Sequence, residues 1–349
     1  MTKNKTIIIT CGGTGGHIFP AIEIAKFFKK QNSLDVLFVG ALGRMEMDKV
    51  PKAGFKIIGI WIQAYYRNSI FKNLLFPLKL IISLIQSFFI LRKHKPLAVI
   101  GTGGFASFPI LYVASLLQIK TYIQEQNCYP GLANRILGKC VKRIFVAHDG
   151  MEKFFPKNKI LNFGNPVRQS LKTDNVSKKE SREFFGLKED VFTILVVGGS
   201  LGAPPINKVI YNILSSSNLL KELHLVGDNC QFIWQTGSDW RFTELYKPKL
   251  EHTEFYLKHC SVHKFIDRMD LAYNAADIVI SRAGAIVISE ICFLSKTSIL
   301  IPSPYVTANH QQINAEYLGI NNACIVLSEN SFNLNRAEKS NIFSNVDEP

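Results

Sequence analysis

No Asp-x-Asp pair occurs anywhere in the 349 residues. A carboxylate clamp of that kind for a divalent cation is therefore not expected. No His-Glu-x-x-His pattern and no cysteine-rich ligand set appears, which argues against a zinc site. The seven cysteines stand apart at 11, 128, 140, 230, 260, 292 and 324 with no Cys-x-x-Cys pair, so they read as reduced thiols rather than a disulfide frame. No Gly-x-x-x-x-Gly-Lys-Ser/Thr phosphate loop is present. A dinucleotide fingerprint calls for an acid at the end of the second strand, to hold a ribose. That strand ends Phe38-Val39-Gly40, so hydride transfer with a nicotinamide cofactor is not expected. No basic segment leading into an apolar run and a small-residue cleavage site opens the chain, which argues against secretion. The expectation is a protein with neither metal nor cofactor.

Acidic residues are scarce in the first half. Residues 1–165 carry 23 Lys and Arg against 7 Asp and Glu, whereas the remainder carries 18 against 20. A basic half suits an anionic partner: nucleic acid, a phospholipid surface or a phosphorylated substrate. The basic residues are dispersed and no recognition motif accompanies them, so no nucleic-acid partner is expected. A run long enough to span a bilayer is also missing. Ile70–Leu91 is interrupted by Lys72, Pro77 and Lys79, and the uncharged part, Leu80–Leu91, is too short to cross. It reads as a hydrophobic helix with basic flanks, Arg67, Lys72 and Lys79 before it and Arg92, Lys93 and Lys95 after. Such a helix either packs inside a core or rests on an anionic membrane surface.

What the chain does have is alternation. Apolar strand patterns at 6–11, 36–39, 56–60, 97–102, 120–123, 143–146 and 160–163 are separated by helical patterns. Gly164-Asn165-Pro166 and the polar run 172–181 read as a linker. A second series follows near 192–197, 231–235, 253–257, 277–281, 298–301 and 323–327. The length calls for two domains, and the alternation predicts parallel sheets with helices on both faces. The fold class is α/β: two doubly wound domains facing across a cleft, with ligands outside the carboxyl ends of the strands.

Glycine-rich loops stand at those ends. Cys11-Gly12-Gly13-Thr14-Gly15-Gly16-His17 follows the first strand, and its form is strand, loop, helix N-terminus. Free N–H groups there favour anionic or oxygen-rich ligands, although a tight turn with a solvated histidine satisfies the same pattern. Gly101-Thr102-Gly103-Gly104, Gly198-Gly199-Ser200-Leu201-Gly202, Thr236-Gly237 and Arg282-Ala283-Gly284 follow four further strands. Polar groups cluster at His17, Gln124–Asn127, Asn165–Arg168, Ala285–Glu290 and Asn309–Gln312. Glu290 is flanked by Ile286, Val287, Ile288, Ile291 and Cys292. A carboxylate in such company needs partners, and two sugar hydroxyls would serve; solvent or a lysine would serve as well.

Gly12-Gly13-Thr14-Gly15-Gly16-His17-x-x-Pro20, Glu125-Gln126-Asn127-x-x-Pro130-Gly131-Leu132-x-Asn134, Gly164-Asn165-Pro166-Val167-Arg168, Val197-Gly198-Gly199-Ser200-x-Gly202-Ala203 and Ser289-Glu290 occur in this order. Over roughly residues 6–320 the set resembles the MurG family, the N-acetylglucosaminyl transferases of peptidoglycan synthesis. The resemblance implies two Rossmann-like domains, the GT-B architecture. It implies an acceptor-binding, membrane-associated domain at 1–163, a domain binding UDP-N-acetylglucosamine (UDP-GlcNAc) at 164–327, and a polar tail at 328–349. The implied reaction is metal-independent and inverting. The muramyl 4-hydroxyl of lipid I attacks the anomeric carbon of UDP-GlcNAc, UDP leaves, and lipid II results. A related glycolipid synthase and a catalytically impaired membrane scaffold are the alternatives.

By the same resemblance His17 is the candidate general base, since an imidazole accepts a proton near neutral pH; orienting the acceptor or binding its diphosphate are its other roles. Thr14, Gly15, Gly16, Asn127, Arg168, Ser200, Ile266, Ala285, Ile286, Val287, Ile288, Ser289, Glu290 and Gln311 are implied to bind substrate. Glu290 would hold the ribose, Ile266 would lie by the uracil, and Ser200 with the Ala285–Ser289 helix start and Arg168 would hold the diphosphate. The implied partners are UDP-GlcNAc, lipid I, an anionic phospholipid surface and other cell-wall synthesis or division proteins. The implied location is peripheral, on the cytoplasmic face of the cell membrane. The chain departs from the family pattern at Gln124, where a His is usual, at Ala283 in place of Ser, and at Leu201 in place of Gln. It also departs beyond Leu318, where further helices are usual and the sequence reads as a shortened polar tail.

Overall fold

The computed structural model describes residues 5–30, 34–66, 70–171, 176–216, 229–238, 254–306 and 309–333. Arg67, the side chain of Lys72 and the tail beyond Asn333 lie outside them. The chain divides into two compact units, Met1–Arg168 and Gln169–Pro349.

Unit 1 holds seven strands: β1 (Lys5–Thr10), β2 (Leu34–Ala41), β3 (Lys56–Ile60), β4 (Ala98–Gly101), β5 (Lys120–Glu125), β6 (Arg143–Val146) and β7 (Ile160–Asn162). All pair in parallel, in the order β3-β2-β1-β4-β5-β6-β7. Thr6–Thr10 forms a central strand because an unbroken β-branched run suits a sheet covered on both faces. Side chains alternate between the two faces. Ile8 joins Val39, Leu91, Ile110 and Leu111 in one core, while Ile7 and Ile9 join Ile18, Ala21, Ile22 and Phe38 in the other. Helices α1 (Gly15–Lys30) and α2 (Glu46–Lys52), the short α3 (Ile70–Asn73), and α4 (Phe76–His94), α5 (Ser107–Leu116) and α6 (Leu132–Leu137) connect the strands.

Helix α4 is two-faced. Ser83, Ser87 and Leu91 are buried one turn apart, and the small serines let α5 approach closely. Their hydroxyls donate back into the helix, Ser83 Oγ to Leu80 O and Ser87 Oγ to Ser83 O, each at 2.7 Å, so burial leaves neither unsatisfied. The opposite face exposes Leu78, Ile81, Ile85, Phe88 and Phe89, and Leu74 and Leu75 just before the helix are exposed as well. A helix buried all round is thus not what forms. Among the described residues no helix is long and apolar enough to cross a membrane.

Unit 2 contains α7 (Lys178–Phe184), β8 (Phe192–Val197), α8 (Pro204–Ser215), β9 (Cys230–Gln235), α9 (Glu254–His259), β10 (Cys260–His263), α10 (Met269–Ala275), β11 (Ile278–Ser281), α11 (Ala285–Phe293), β12 (Thr297–Leu300), α12 (His310–Gly319) and β13 (Ile325–Val326). Its parallel sheet runs β10-β9-β8-β11-β12-β13. Trp234, fully buried, donates its indole N–H to Asn207 Oδ1 at 3.0 Å, and Asn207 Nδ2 donates to Thr236 O at 2.8 Å. At the amino ends of β8 and β11, Asp277 accepts from Lys178, Arg182 and the Thr193 N–H. Burial opposes its ionisation, but these hydrogen bonds and the two cations outweigh burial and hold its carboxyl below the usual range.

One strand expected from sequence is misplaced. The described part of 253–257 lies in α9, and the edge strand is Cys260–His263. A parallel β9–β10 pair needs a crossover, and this helix is part of it, with Tyr256 buried in the unit 2 core. In each sheet the winding direction reverses once, between β1 and β4 and between β8 and β11. The loops following those four strands flank the crevices where doubly wound sheets bind ligands.

Candidate active site

In unit 1 the glycine loop is clamped from below. The buried carboxylate of Glu46 accepts from the Gly13 N–H at 3.2 Å and from the Ala41 N–H at 3.0 Å, tying the loop after β1 to the end of β2. The loop after β4 lies against it: a Cβ on Gly104, whose φ is +82°, would fall on the Gly12 carbonyl oxygen. Helix α1 then begins at Gly15, where Thr14 and Gly16 are exposed.

His17 stands on the first turn of α1, half-buried. Its Nδ1 lies 3.0 Å from Thr102 O and 3.1 Å from Gln126 Oε1. Thr102 Oγ1 donates in return to His17 O at 2.7 Å. Gln126 Nε2 donates to Thr102 O at 2.7 Å, to Gln124 O at 3.1 Å and to the Gln124 side-chain oxygen. Glu125, buried beside it, faces the next loop, accepting from Asn127 N and Nδ2, from the Gly131 N–H and from Asn134 Nδ2. Asn127 is thereby fixed at the end of β5. Arg168 sits with its guanidinium 5.4 Å from the Phe19 ring centroid, one turn along α1 from Thr14–Gly16. His17, Thr14–Gly16, Asn127 and Arg168 are all carried by unit 1.

In unit 2, Ser200 lies on the loop after β8, and its carbonyl accepts from the Ser238 N–H at 3.2 Å. Gln235, buried at the end of β9, ties the loop after β8 to the segment after β10. Its Nε2 donates to Gly199 O at 3.0 Å and its Oε1 accepts from the Ile266 N–H at 2.9 Å. Ile266 is therefore held by its main chain, with its side chain buried. Helix α11 opens at Ala285 behind Gly284, with no side-chain cap, so the N–H groups of its first turn have no capping side chain. Ala285, Ile286 and Ile288 are buried, and Val287 is half-buried. Ser289 Oγ donates back to Ala285 O at 2.9 Å. Glu290 is withdrawn from solvent: it is 1% exposed and accepts from the Tyr273 hydroxyl at 3.1 Å. Gln311 Oε1 accepts from the Ser303 N–H at 2.9 Å, fixing the loop after β12. Among the described residues no group of three His, Cys, Asp or Glu could hold a metal ion.

Comparison with known proteins gives the family of both units. The glycosyltransferase family 28 N-terminal domain matches residues 7–146, and the family 28 C-terminal domain matches residues 193–340. The chain belongs to glycosyltransferase family 28. A relative from Flavobacterium psychrophilum is 46% identical over 92% of this chain and 84% of its own length. One from Phocaeicola vulgatus is 44% identical over 94% and 85%. Both carry the name UDP-N-acetylglucosamine–N-acetylmuramyl-(pentapeptide) pyrophosphoryl-undecaprenol N-acetylglucosamine transferase. A crystal structure of Acinetobacter baumannii MurG superposes with a TM-score of 0.72 at 24% identity, covering 99% of this chain and 91% of that one.

The residues that sequence reasoning missed are those that hold the candidate site residues in place. Glu46 shapes the glycine loop, Thr102 and Gln126 hold His17, Gln235 holds Ile266, and Tyr273 holds Glu290. Gln126 and Thr102 lay inside motifs already singled out. Glu46 stands among Arg44, Asp48 and Lys49, so nothing in the local sequence signalled its burial.

Proposed function

We infer that this chain transfers N-acetylglucosamine from UDP-GlcNAc to the muramyl 4-hydroxyl of lipid I, with inversion, to give lipid II. The observation that carries the reading is the 46% identity across 92% of the chain to a transferase of that name. Unit 1 supplies the base. His17 takes the proton of the attacking hydroxyl, whose oxygen forms the new bond to the anomeric carbon. The bond from that carbon to the β-phosphate oxygen breaks, and UDP leaves with the electron pair. Thr14, Gly15, Gly16 and Asn127 contact the donor sugar and diphosphate. Unit 2 binds the nucleotide. The uncapped N–H groups at Ala285–Val287 and the loop carrying Ser200 receive the charge that develops on the leaving diphosphate, and Arg168 adds a cation. These groups do the work a metal does elsewhere. Glu290 exchanges the Tyr273 hydroxyl for ribose hydroxyls, Gln311 keeps the neighbouring loop in position, and Ile266 lies by the uracil. UDP release with purified lipid I tests the reading. Release with diacylglycerol instead would make the chain a glycolipid synthase, and no donor binding at all would make it a scaffold.

The acceptor is lipid-linked, and the exposed stripe of α3 and α4 supplies a means of reaching it. Phe71 and Leu74 are 93% and 79% exposed, Ile81 and Ile85 follow at helical spacing, and Lys79, Arg92, Lys93 and Lys95 flank the stripe. We assign this face to peripheral attachment at an anionic bilayer, on its cytoplasmic side, where the apolar side chains enter and the cations meet headgroups. The double substitution Ile81→Glu/Ile85→Glu is expected to weaken binding to phosphatidylglycerol vesicles by about tenfold or more, with an unchanged melting temperature. A fall in melting temperature with vesicle binding intact would place the stripe in packing instead.

A further inference from the structure

We propose that Gln126 is a positioning residue that fixes His17 in one tautomer, with the proton on Nδ1 and the lone pair on Nε2. The inference rests on the assignment of His17 as base. It follows from which neighbours can only accept. Thr102 O and Gln124 O are carbonyl oxygens, and Gln126 Nε2 lies 2.7 Å from the first and 3.1 Å from the second. Turning the amide over would set its oxygen against both. The nitrogen therefore faces the carbonyls and the oxygen faces His17, 3.1 Å from Nδ1. The other neighbour of Nδ1, Thr102 O at 3.0 Å, accepts as well. With two acceptors before it, Nδ1 must be the donor, and a neutral ring then presents an unprotonated Nε2.

The amide has no easy alternative. Gln126 and Gln124 are both buried. Gln126 Nε2 donates to the Gln124 side-chain oxygen, and Gln124 Nε2 donates to Asn165 Oδ1 at 2.8 Å. Asn165 Nδ2 closes the ring by donating to Gln126 O at 3.1 Å. Each amide in this cycle has its orientation set by the next, and a backbone carbonyl anchors it. Gln124, which stands where a histidine is usual in the family pattern, is thus a member of the frame that aims the base. Thr102 is pinned in turn, its N–H donating to Thr10 O at 3.0 Å and its hydroxyl to His17 O.

The ionisable groups on the elements around His17 include Cys11, Glu46, Glu125, Cys128, His148 and Arg168, and further along its own helix Glu23, Lys26, Lys29 and Lys30. Burial keeps Cys11 a thiol. Burial also lowers His148, which is hydrogen-bonded to the Gln126 backbone carbonyl, so a His148→Gln variant separates its titration from that of His17.

The test uses the full chain labelled with 15N-histidine, His17 being assigned by its loss in His17→Gln. The expected spectrum has a pyrrole-type Nδ1 and a pyridine-type Nε2 in the neutral ring. A protonated Nε2 with a bare Nδ1 overturns the proposal. Gln126→Glu puts a carboxylate against Nδ1–H and favours the imidazolium, so the acidic limb of kcat/KM moves up by about one pH unit. An unmoved limb also overturns it. Gln126→Leu is expected to lower kcat on the order of tenfold with the KM for UDP-GlcNAc kept. If His17→Ala were fully active while the spectrum showed the expected tautomer, the base assignment would fail and the geometry would stand.

Discussion

Replacing His17 by alanine lowers kcat by about 10²–10⁴-fold, the range that a positioned general base contributes. The KM for UDP-GlcNAc stays within about twofold, because the side chain acts on the acceptor's proton and the nucleotide is assigned to unit 2. The split between the two parameters is the informative part. A residue that bound the donor in ground and transition state alike would raise KM and leave kcat unchanged. Steady-state kinetics with lipid I, varying each substrate in turn, reads both. His17 is suited to this because, among the described residues, its ring is hydrogen-bonded at Nδ1 alone. Thr102 O and Gln126 Oε1 occupy Nδ1, and the side chain remains half-buried rather than enclosed. A KM for UDP-GlcNAc raised severalfold at constant kcat would move His17 from the base to the donor's binding site.

The positions of the site loops were legible in the sequence, whereas the way each side chain is held was not. Glycine clusters after apolar runs placed Gly12–Gly16, Gly101–Gly104, Gly198–Gly202 and Ala283–Gly284 at the carboxyl ends of β1, β4, β8 and β11. A short strand and a tight turn follow from local chemistry, so spacing alone finds them. Side-chain partners come from residues far apart in the chain. Glu46 lies 33 positions from Gly13, and Gln126 lies 109 from His17. Of the two partners of His17 Nδ1, one is a backbone carbonyl, Thr102 O, which no residue type signals. The same limit explains α9. Thr253–Leu257 has strand-forming residue types, but the need for a crossover between parallel β9 and β10 overrides that preference. Glu290 shows the limit most plainly. Its apolar neighbours left solvent, a lysine or sugar hydroxyls open as its partners, and only the fold reveals that Tyr273, 17 positions earlier, meets it.

Gly104→Ala is expected to be the most damaging single-methyl change in unit 1. Its φ of +82° lies in the left-handed region, which costs a non-glycine residue roughly 1–3 kcal/mol on its own. The added Cβ would also fall on the Gly12 carbonyl oxygen and come within 2.8 Å of the Gly12 carbonyl carbon. Backbone cannot swing aside as a side-chain tip can, so one loop must move off the other. Either loop carries part of the site, since Gly12 leads into Thr14–His17 and Gly103 lies directly under the imidazole. The expected result is a loss of about 3 kcal/mol or more of unit 1 stability, together with a fall in kcat on the order of a hundredfold from misplacing His17. Gly131→Ala is the control. Its φ is −63°, its Cβ meets open space, and its N–H keeps the bond to Glu125, so the change should stay within about 0.5 kcal/mol. Thermal unfolding and turnover measured on both variants decide the matter. An unshifted melting temperature for Gly104→Ala would mean that the two loops do not lie backbone against backbone, and His17 would then need another source of its placement.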